Sequence, residues 1–315
     1  MSEQTTGGSA PHPVRGLLLV CLVGVVWGTI GPAVHLVHVH SSLSVLAIGA
    51  YRSVAAVVVL GIAVRVTSRL PDCLTLARQH RRRVVVVGLS TATFQLLFFV
   101  AVVQAGVSVA TVVALGFPPV LLLVVAAVRD RRPPTAAQVL TVGAATAGLA
   151  LVGALGRTGE PRSHVAVGLL AALGSGAAYA LSADAGAPLS RRHDALTVTT
   201  VTMSVAAAAL VPCGLLAGGL GGESVWTTDA RSWLLVAYLG VVTMAFAYVL
   251  LFAGMRSTTS GAVVVATLLE PVTAVLIAVV FLGESLTPAG VVGSLLIVAA
   301  IASLGLRSEG SPQPQ

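Results

Sequence analysis

Ser108-Val109-Ala110-Thr111-Val112-Val113-Ala114-Leu115-Gly116-Phe117-Pro118-Pro119 reappears 152 positions later as Ser260-Gly261-Ala262-Val263-Val264-Val265-Ala266-Thr267-Leu268-Leu269-Glu270-Pro271. Six of the twelve positions are identical: Ser108, Ala110, Val112, Val113, Ala114 and Pro119. Valine and alanine agree easily in a chain this rich in both. The same displacement, however, carries Gly16-Leu17-Leu18 onto Gly168-Leu169-Leu170, Gly24 onto Gly176, Gly88 onto Gly240, Thr91 onto Thr243 and Phe94 onto Phe246, and it sets Trp27 on Tyr179. Matches of glycine, threonine, phenylalanine and proline at one gapless displacement indicate a duplicated unit.

The 315 residues are 56% hydrophobic and 9% charged, with a mean hydropathy of +0.97. Soluble domains carry about 25% charge, so a soluble enzyme, a nucleic-acid binder and a disordered chain are all disfavoured. Apolar runs of bilayer length, about 20 residues, stand at roughly 16–37, 44–66, 84–104, 107–128, 135–155, 166–187, 195–218, 233–254, 258–282 and 287–306. They are too long and too continuous for barrel strands. The expected fold is therefore an all-α polytopic membrane protein of ten transmembrane helices. The connections are short, and no soluble domain fits beside them. Residues 1–15 and 307–315 read as tails, and the first run is too long for a cleavable signal peptide.

All 18 basic residues are arginine. Fourteen fall in the N-tail, the even-numbered connections and the C-tail, among them Arg65, Arg69, Arg78, Arg81–Arg83, Arg129, Arg131, Arg132, Arg191, Arg192 and Arg256. Three fall in odd-numbered connections: Arg157, Arg162 and Arg231. Cytoplasmic loops are arginine-rich, so both tails are expected in the cytoplasm. Alanine, valine, glycine and arginine dominate, as GC-rich codons favour, which suggests a bacterium and its plasma (inner) membrane. Each unit, 16–155 and 166–306, holds five spans. Five is odd, so the second unit must enter the membrane the other way. Inverted repeats of this kind are the architecture of many secondary transporters, in which two related bundles rock about one central site.

The segment Glu270-Pro271-Val272-Thr273-Ala274-Val275-Leu276-Ile277-Ala278-Val279-Val280-Phe281-Leu282-Gly283-Glu284-Ser285-Leu286-Thr287, followed by Gly290 and Gly293 and preceded far upstream by Trp27-Gly28, resembles EamA-type members of the drug/metabolite transporter superfamily. The resemblance covers almost the whole chain. It implies a secondary carrier, exporting or importing small metabolites or drugs. The first unit departs from the pattern: Pro118 stands opposite Glu270 and Arg132 opposite Glu284. A symmetric pair of acids is therefore not expected.

An ionisable group at bilayer depth costs about 2.5–3.5 kcal/mol on insertion scales and must face a cavity or a partner. Arg52, Asp184 and Glu270 qualify. Glu270 lies near the middle of span nine, and Pro271 frees the carbonyl of Thr267. Together they suit a proton, a cation or a substrate amine; the alternative is a helix-break element paired with Arg52 or permanently protonated. Arg52 would bind a carboxylate or phosphate as a fork of donors, or else pair with Glu270 or cap helix-end carbonyls. Asp184 lies toward the cytoplasmic end of span six, where it would line the cytoplasmic mouth or simply be solvated. Trp27 and Tyr179, equivalent in the repeats, would wall a central cavity or serve ordinary packing. Gln95 is a further polar candidate at mid-depth, ahead of Thr91 and Thr243, which are expected to bond their own helices. Pro118-Pro119 should break or kink span four opposite the break at Pro271, with the two broken helices facing each other near the centre.

Other features read as structural. Gly24-x-x-x-Gly28 and Gly214-x-x-x-Gly218 allow close helix approach. Trp226 and Trp233 read as outer-interface anchors, and Arg81–Arg83 would touch anionic lipid heads. His35, His38 and His40 are expected in a solvated loop rather than at a metal. Cys21, Cys73 and Cys213 suggest neither disulfides nor a zinc site, and Cys73 is placed in an arginine-rich loop. No cofactor, metal or nucleic-acid partner is implied. The expected partners are a small-molecule substrate, the lipid bilayer and protons.

Three functions compete. The first is a carrier, expected to be an exporter, working by alternating access on an amino-acid-like or drug-like metabolite. The second is a lipid-linked-sugar flippase of related fold. The third is an intramembrane enzyme using Ser175, for which no histidine lies at matching depth. A GxxxxGK[ST] loop is absent, which excludes ATP hydrolysis in this chain.

Overall fold

The computed structural model describes residues 13–153, 165–282 and 288–309. Arg157, Arg162 and the Gly283–Thr287 end of the motif lie outside the described residues. The helices are α1 (Pro13–Gly28), α2 (Ile30–His40), α3 (Val45–Val66), α4 (Leu70–Gln79), α5 (Arg81–Ala105), α6 (Val107–Asp130), α7 (Ala136–Gly153), α8 (Val165–Arg192), α9 (Ala195–Leu220), α10 (Ala230–Tyr238), a π-helical segment (Leu239–Phe246), α11 (Ala247–Gly254), α12 (Ser260–Ala266), α13 (Leu269–Leu282) and α14 (Pro288–Glu309). Among the described residues, nine helical stretches are long and apolar enough to cross a bilayer, and Pro288–Leu304 is a shorter tenth. α1 with α2 forms the first span, α10 through α11 the eighth, and α12 with α13 the ninth. Backbone groups in lipid must bond within their own helix, which is why long apolar runs fold this way.

Helix packing repeats when the two halves are exchanged. α1 packs on α11 as α8 packs on α5. α1 also packs on α12 and α13 as α8 packs on α6. α3 lies on the π-helical segment as α9 lies on α5, and the equivalent pairs α3–α9 and α7–α14 meet each other. Glycines carry the relation to single atoms. A Cβ at Gly24 would lie 3.3 Å from Ala266 O, and one at Gly176 would lie 2.9 Å from Ala114 O. Ala114 and Ala266 are themselves 152 positions apart. The chain is thus two inverted five-helix repeats about a pseudo-twofold relation.

Gly176→Val and Gly24→Val are each expected to lower the thermal midpoint of the purified protein, because either side chain must push a backbone apart. Overpacking of this kind costs about 1–3 kcal/mol. Gly143→Val, where the space beside the glycine is open, is the control. Equal midpoints for all three variants would count against the close packing.

Contacts between connections set which loops share a face. Arg69 pairs with Asp194 at 2.6 Å, joining connections two and six, and Arg129 pairs with Asp184 at 2.8 Å, joining connection four to the end of span six. On the other face, Ser44 N donates to Ser224 O at 2.8 Å, joining connections one and seven. Spans three and four are joined by Gly106 alone, whose φ of +93° lies in the region that favours glycine.

The arginine-rich connection two is not simply a loop: α4 occupies it, with Cys73 and Leu76 buried. Beyond α4, His80 stacks edge-on to His193, ring centroids 5.1 Å apart. Burial pushes the His193 pKa down, His80 and Arg192 add to this, and Asp72 opposes it. The fold thus favours neutral His193. Its contribution is complete above the ordinary value of 6.5 and is lost as pH falls through the lower folded value. Thermal midpoints measured between pH 8 and pH 5 should therefore fall more steeply in the wild type than in His193→Gln; parallel curves would remove this histidine from the account.

Two spans are interrupted, but not the pair expected. In the first span, Pro32 lacks the N–H that would bond Gly28 O, and the helix breaks at Thr29, whose hydroxyl bonds Val26 O at 2.7 Å and the Tyr238 hydroxyl at 2.7 Å. In the ninth span, Pro271 lacks the N–H that would bond Thr267 O. The Glu270 N–H takes that carbonyl at 3.0 Å, and α13 starts afresh. The fourth span does not break: α6 runs continuously through Pro118 and Pro119. The Ala114 carbonyl freed by Pro118 faces the bare backbone of Gly176, so a neighbouring helix fills the fault.

Candidate functional site

Six spans deliver side chains to one place near mid-depth. α1 ends in Trp27-Gly28, α3 carries Arg52, α5 carries Phe94 and Gln95, α8 carries Tyr179, α11 carries Tyr248, and the break before α13 carries Thr267 and Glu270. Gly24 and Gly28 let α1 lie directly on that break: Cβ atoms there would fall 3.3 Å from Glu270 N and 2.7 Å from Glu270 O. The end of α1 is thereby held against the backbone of Glu270. Glu270 occupies the first turn of α13, where the helix dipole favours a carboxylate.

Hydrogen bonds orient the aromatic groups. In the π-helical segment, Ala247 N–H reaches Val242 O rather than Thr243 O. The Trp27 indole N–H takes Thr243 O instead, at 2.9 Å. Such π-turns occur often at functional sites. The Tyr179 and Thr267 hydroxyls share a hydrogen bond of 2.8 Å. Trp27 lies 5.4 Å from Tyr248 and 6.4 Å from Tyr179, and Phe94 lies 5.2 Å from Tyr179, ring centroid to centroid. Beneath Tyr179 and Tyr248 a cavity of about 10 Å³, also lined by Thr91 and Ser182, has room for one water molecule.

The charged groups lie near these rings. Arg52 Nη2 donates to Gln95 Oε1. Arg52 and Glu270 lie within electrostatic range of each other and of Tyr248. They do not form a contact ion pair: among the described residues the ion pairs are Arg69–Asp194 and Arg129–Asp184. Both Arg52 and Glu270 are half-buried. Arg52 Nε and Gln95 Nε2 are buried and have no hydrogen-bond partner in the protein. Buried donors are normally satisfied, so the site holds a cation with spare donors and, out of direct contact with it, a carboxylate.

Of the residues singled out in the sequence, Arg52, Gln95, Trp27, Tyr179 and Glu270 come together. Asp184 does not: it pairs with Arg129 at the arginine-rich face. Tyr248 was not foreseen, although a tyrosine deep in an apolar run, in a chain with four tyrosines, was a signal. The Thr267 carbonyl is not free, because Glu270 N–H holds it. Thr91 and Thr243 bond the carbonyls of Val87 and Leu239 in their own helices.

Trp226 and Trp233 are more than interface anchors. They stack at 5.0 Å, and Trp233 lies 4.9 Å from Tyr51, the neighbour of Arg52. His38 and His40 bond their own helix carbonyls, and no metal-binding cluster is present among the described residues. Ser175 is buried with its hydroxyl donating to Phe94 O at 2.8 Å, which leaves no poised nucleophile there.

A profile of the EamA-like transporter family matches residues 14–154 and again residues 166–306. The uncharacterized transporter YwfM of Bacillus subtilis (strain 168) is 28% identical over 300 residues, 90% of this chain and 91% of its own length. An uncharacterized transporter of Archaeoglobus fulgidus is 28% identical over 141 residues, 45% of this chain and 48% of its own. A solved structure described as the crystal structure of a protein superposes with a TM-score of 0.74 at 21% identity, covering 93% of this chain and 98% of that one. At that identity the likeness is one of fold.

Proposed function

We propose that this chain, which belongs to the EamA-like transporter family, is not an enzyme but a secondary-active exporter of small metabolites, amino-acid-like or drug-like, working by alternating access. The observation that carries this reading is the convergence of Arg52, Gln95, Trp27, Tyr179, Tyr248 and Glu270 from both inverted repeats. In it, Arg52 with Gln95 receives an acidic group of the substrate, Trp27, Tyr179 and Tyr248 pack its apolar part, and Glu270 exchanges a proton as the coupling group. Asp184 belongs to the mouth on the arginine-rich face. The units 16–155 and 166–306 are the two halves that exchange conformations, and Pro271 supplies the break at which the ninth span bends. Pro118 and Pro119 are its continuous counterpart in the fourth span.

The arginine balance supports cytoplasmic tails at 1–15 and 307–315, and the alanine-, valine-, glycine- and arginine-rich composition supports a bacterial plasma membrane. No nucleic-acid partner or cofactor enters this reading. The test is growth protection by overexpression across amino acids, nucleosides and drugs, with Glu270→Gln and Arg52→Ala beside the wild type. Protection by the wild type alone supports the assignment. Equal protection by both variants removes these two residues from it.

A further inference from the structure

A second cavity shares no lining residue with the mid-depth cluster. It has a volume of about 500 Å³ and sits between the arginine-rich ends of spans four, five and six, the start of α12, and α14. Its mouth carries Arg129, Asp130, Gln138, Asp184 and Arg191, and its floor is apolar, with Leu122 and Val265. Neither Arg52 nor Glu270 lines it. We propose that this cavity is a distinct binding site for a single-chain zwitterionic amphiphile, with the charged head at the Arg129–Asp184 pair and the chain on the floor.

Three observations fix the chemistry. First, the mouth is balanced: Arg129 and Arg191 stand with Asp184 and Asp130, so it complements a head bearing both signs better than a net anion. Second, the Arg129–Asp184 pair joins spans four and six at 2.8 Å with side chains 63% and 30% exposed. A pair so exposed holds little stability and can exchange its partners for those of a ligand. Third, the lining runs from Asp130 at the end of α6 to Pro119. At 1.5 Å per residue that is a depth of about 16 Å, enough for one chain of about ten carbons. A cavity of 500 Å³ lies in the range of small-ligand sites and is too small for a two-chain phospholipid. The site stands on this cavity alone and does not require the coupling role given to Glu270.

The probe is a ten-carbon phosphocholine bearing a diazirine at mid-chain, photolysed on the full-length protein in lipid nanodiscs, with adducts mapped by peptide mass. Saturable adducts on residues 119–126 and 259–265 are expected, at least tenfold above those of a diazirine decanol of equal length. The double substitution Arg129→Gln with Asp184→Asn should lower them about tenfold. Leu122→Trp, which fills the floor and keeps the ion pair, should do the same, so a failure of one variant to fold does not decide the outcome. Glu270→Gln should leave the labelling unchanged, which separates this site from the coupling role of Glu270, although Asp184 at the mouth is common to both readings. Adding the probe from water or premixing it with lipid distinguishes a free amphiphile from a membrane lysolipid as its source. Adducts spread over lipid-facing residues, or equal labelling by the alcohol, overturns the proposal.

Discussion

Glu270→Gln is expected to abolish accumulation driven by a pH gradient while leaving substrate exchange intact. The substitution keeps the size of the side chain and the backbone bond from Glu270 N to Thr267 O, so the break before α13 persists. It removes the one carboxylate among the groups gathered at mid-depth from α1, α3, α5, α8, α11 and α13. One pH unit corresponds to about 1.4 kcal/mol per proton, or about tenfold accumulation. Proteoliposomes carrying wild-type protein should therefore concentrate substrate about tenfold per pH unit, and those carrying Glu270→Gln not at all. Counterflow without a gradient reports whether the variant still binds and turns over. Gradient-driven accumulation by the variant would assign coupling elsewhere.

Arg52→Ala should act on affinity instead. In the proposed complex Arg52 pairs with the substrate's acidic group, and removing one member of such a pair costs about 2–5 kcal/mol, which is roughly 30-fold to several thousand-fold in affinity. A graded series separates charge from geometry. Gln95→Ala leaves the cation but frees the nitrogen that bonds Gln95, so its loss should be smaller. Arg52→Lys keeps the charge without the planar fork and should fall between the two. Competition against a labelled substrate gives the ranking. Arg52→Ala binding as tightly as wild type would make Arg52 a structural residue, as would thermal midpoints that fall in step with affinity across the series.

The sequence already held the elements from which this site is made, and the reason is physical. Bilayer length dictates long apolar runs, arginine marks the ends that stay out of lipid, and a charge at depth is too costly to be incidental. Arg52 and Glu270 could therefore be picked out singly. Whether they touch could not. That depends on how α3 and α13 sit across the repeat relation, and the answer is a neighbouring pair without contact. Proline marked the ninth-span break but not the continuity of the fourth span. Pro118-Pro119 and Pro271 each remove helix donors, but whether a helix breaks depends on what lies against the freed carbonyl. Gly176 covers Ala114 O, so α6 continues. In the first span, Thr29 and Tyr238 stabilise a break at Pro32 that apolar patterning conceals.

From one-dimensional information alone came the ten spans, their duplication, the inverted relation of the halves and the arginine-rich face. These follow from local run length, parity and a single displacement of 152 residues, none of which needs knowledge of distant contacts. Tertiary structure alone decided that Tyr248 joins the site, that Gln95 holds Arg52, that Asp184 leaves it for Arg129, and that a π-turn frees a carbonyl for Trp27. Each of these depends on the rotation of one helix about its axis against another. That rotation is set by close contacts such as those of Gly24, Gly28 and Gly176, where the missing side chain admits a neighbour's backbone.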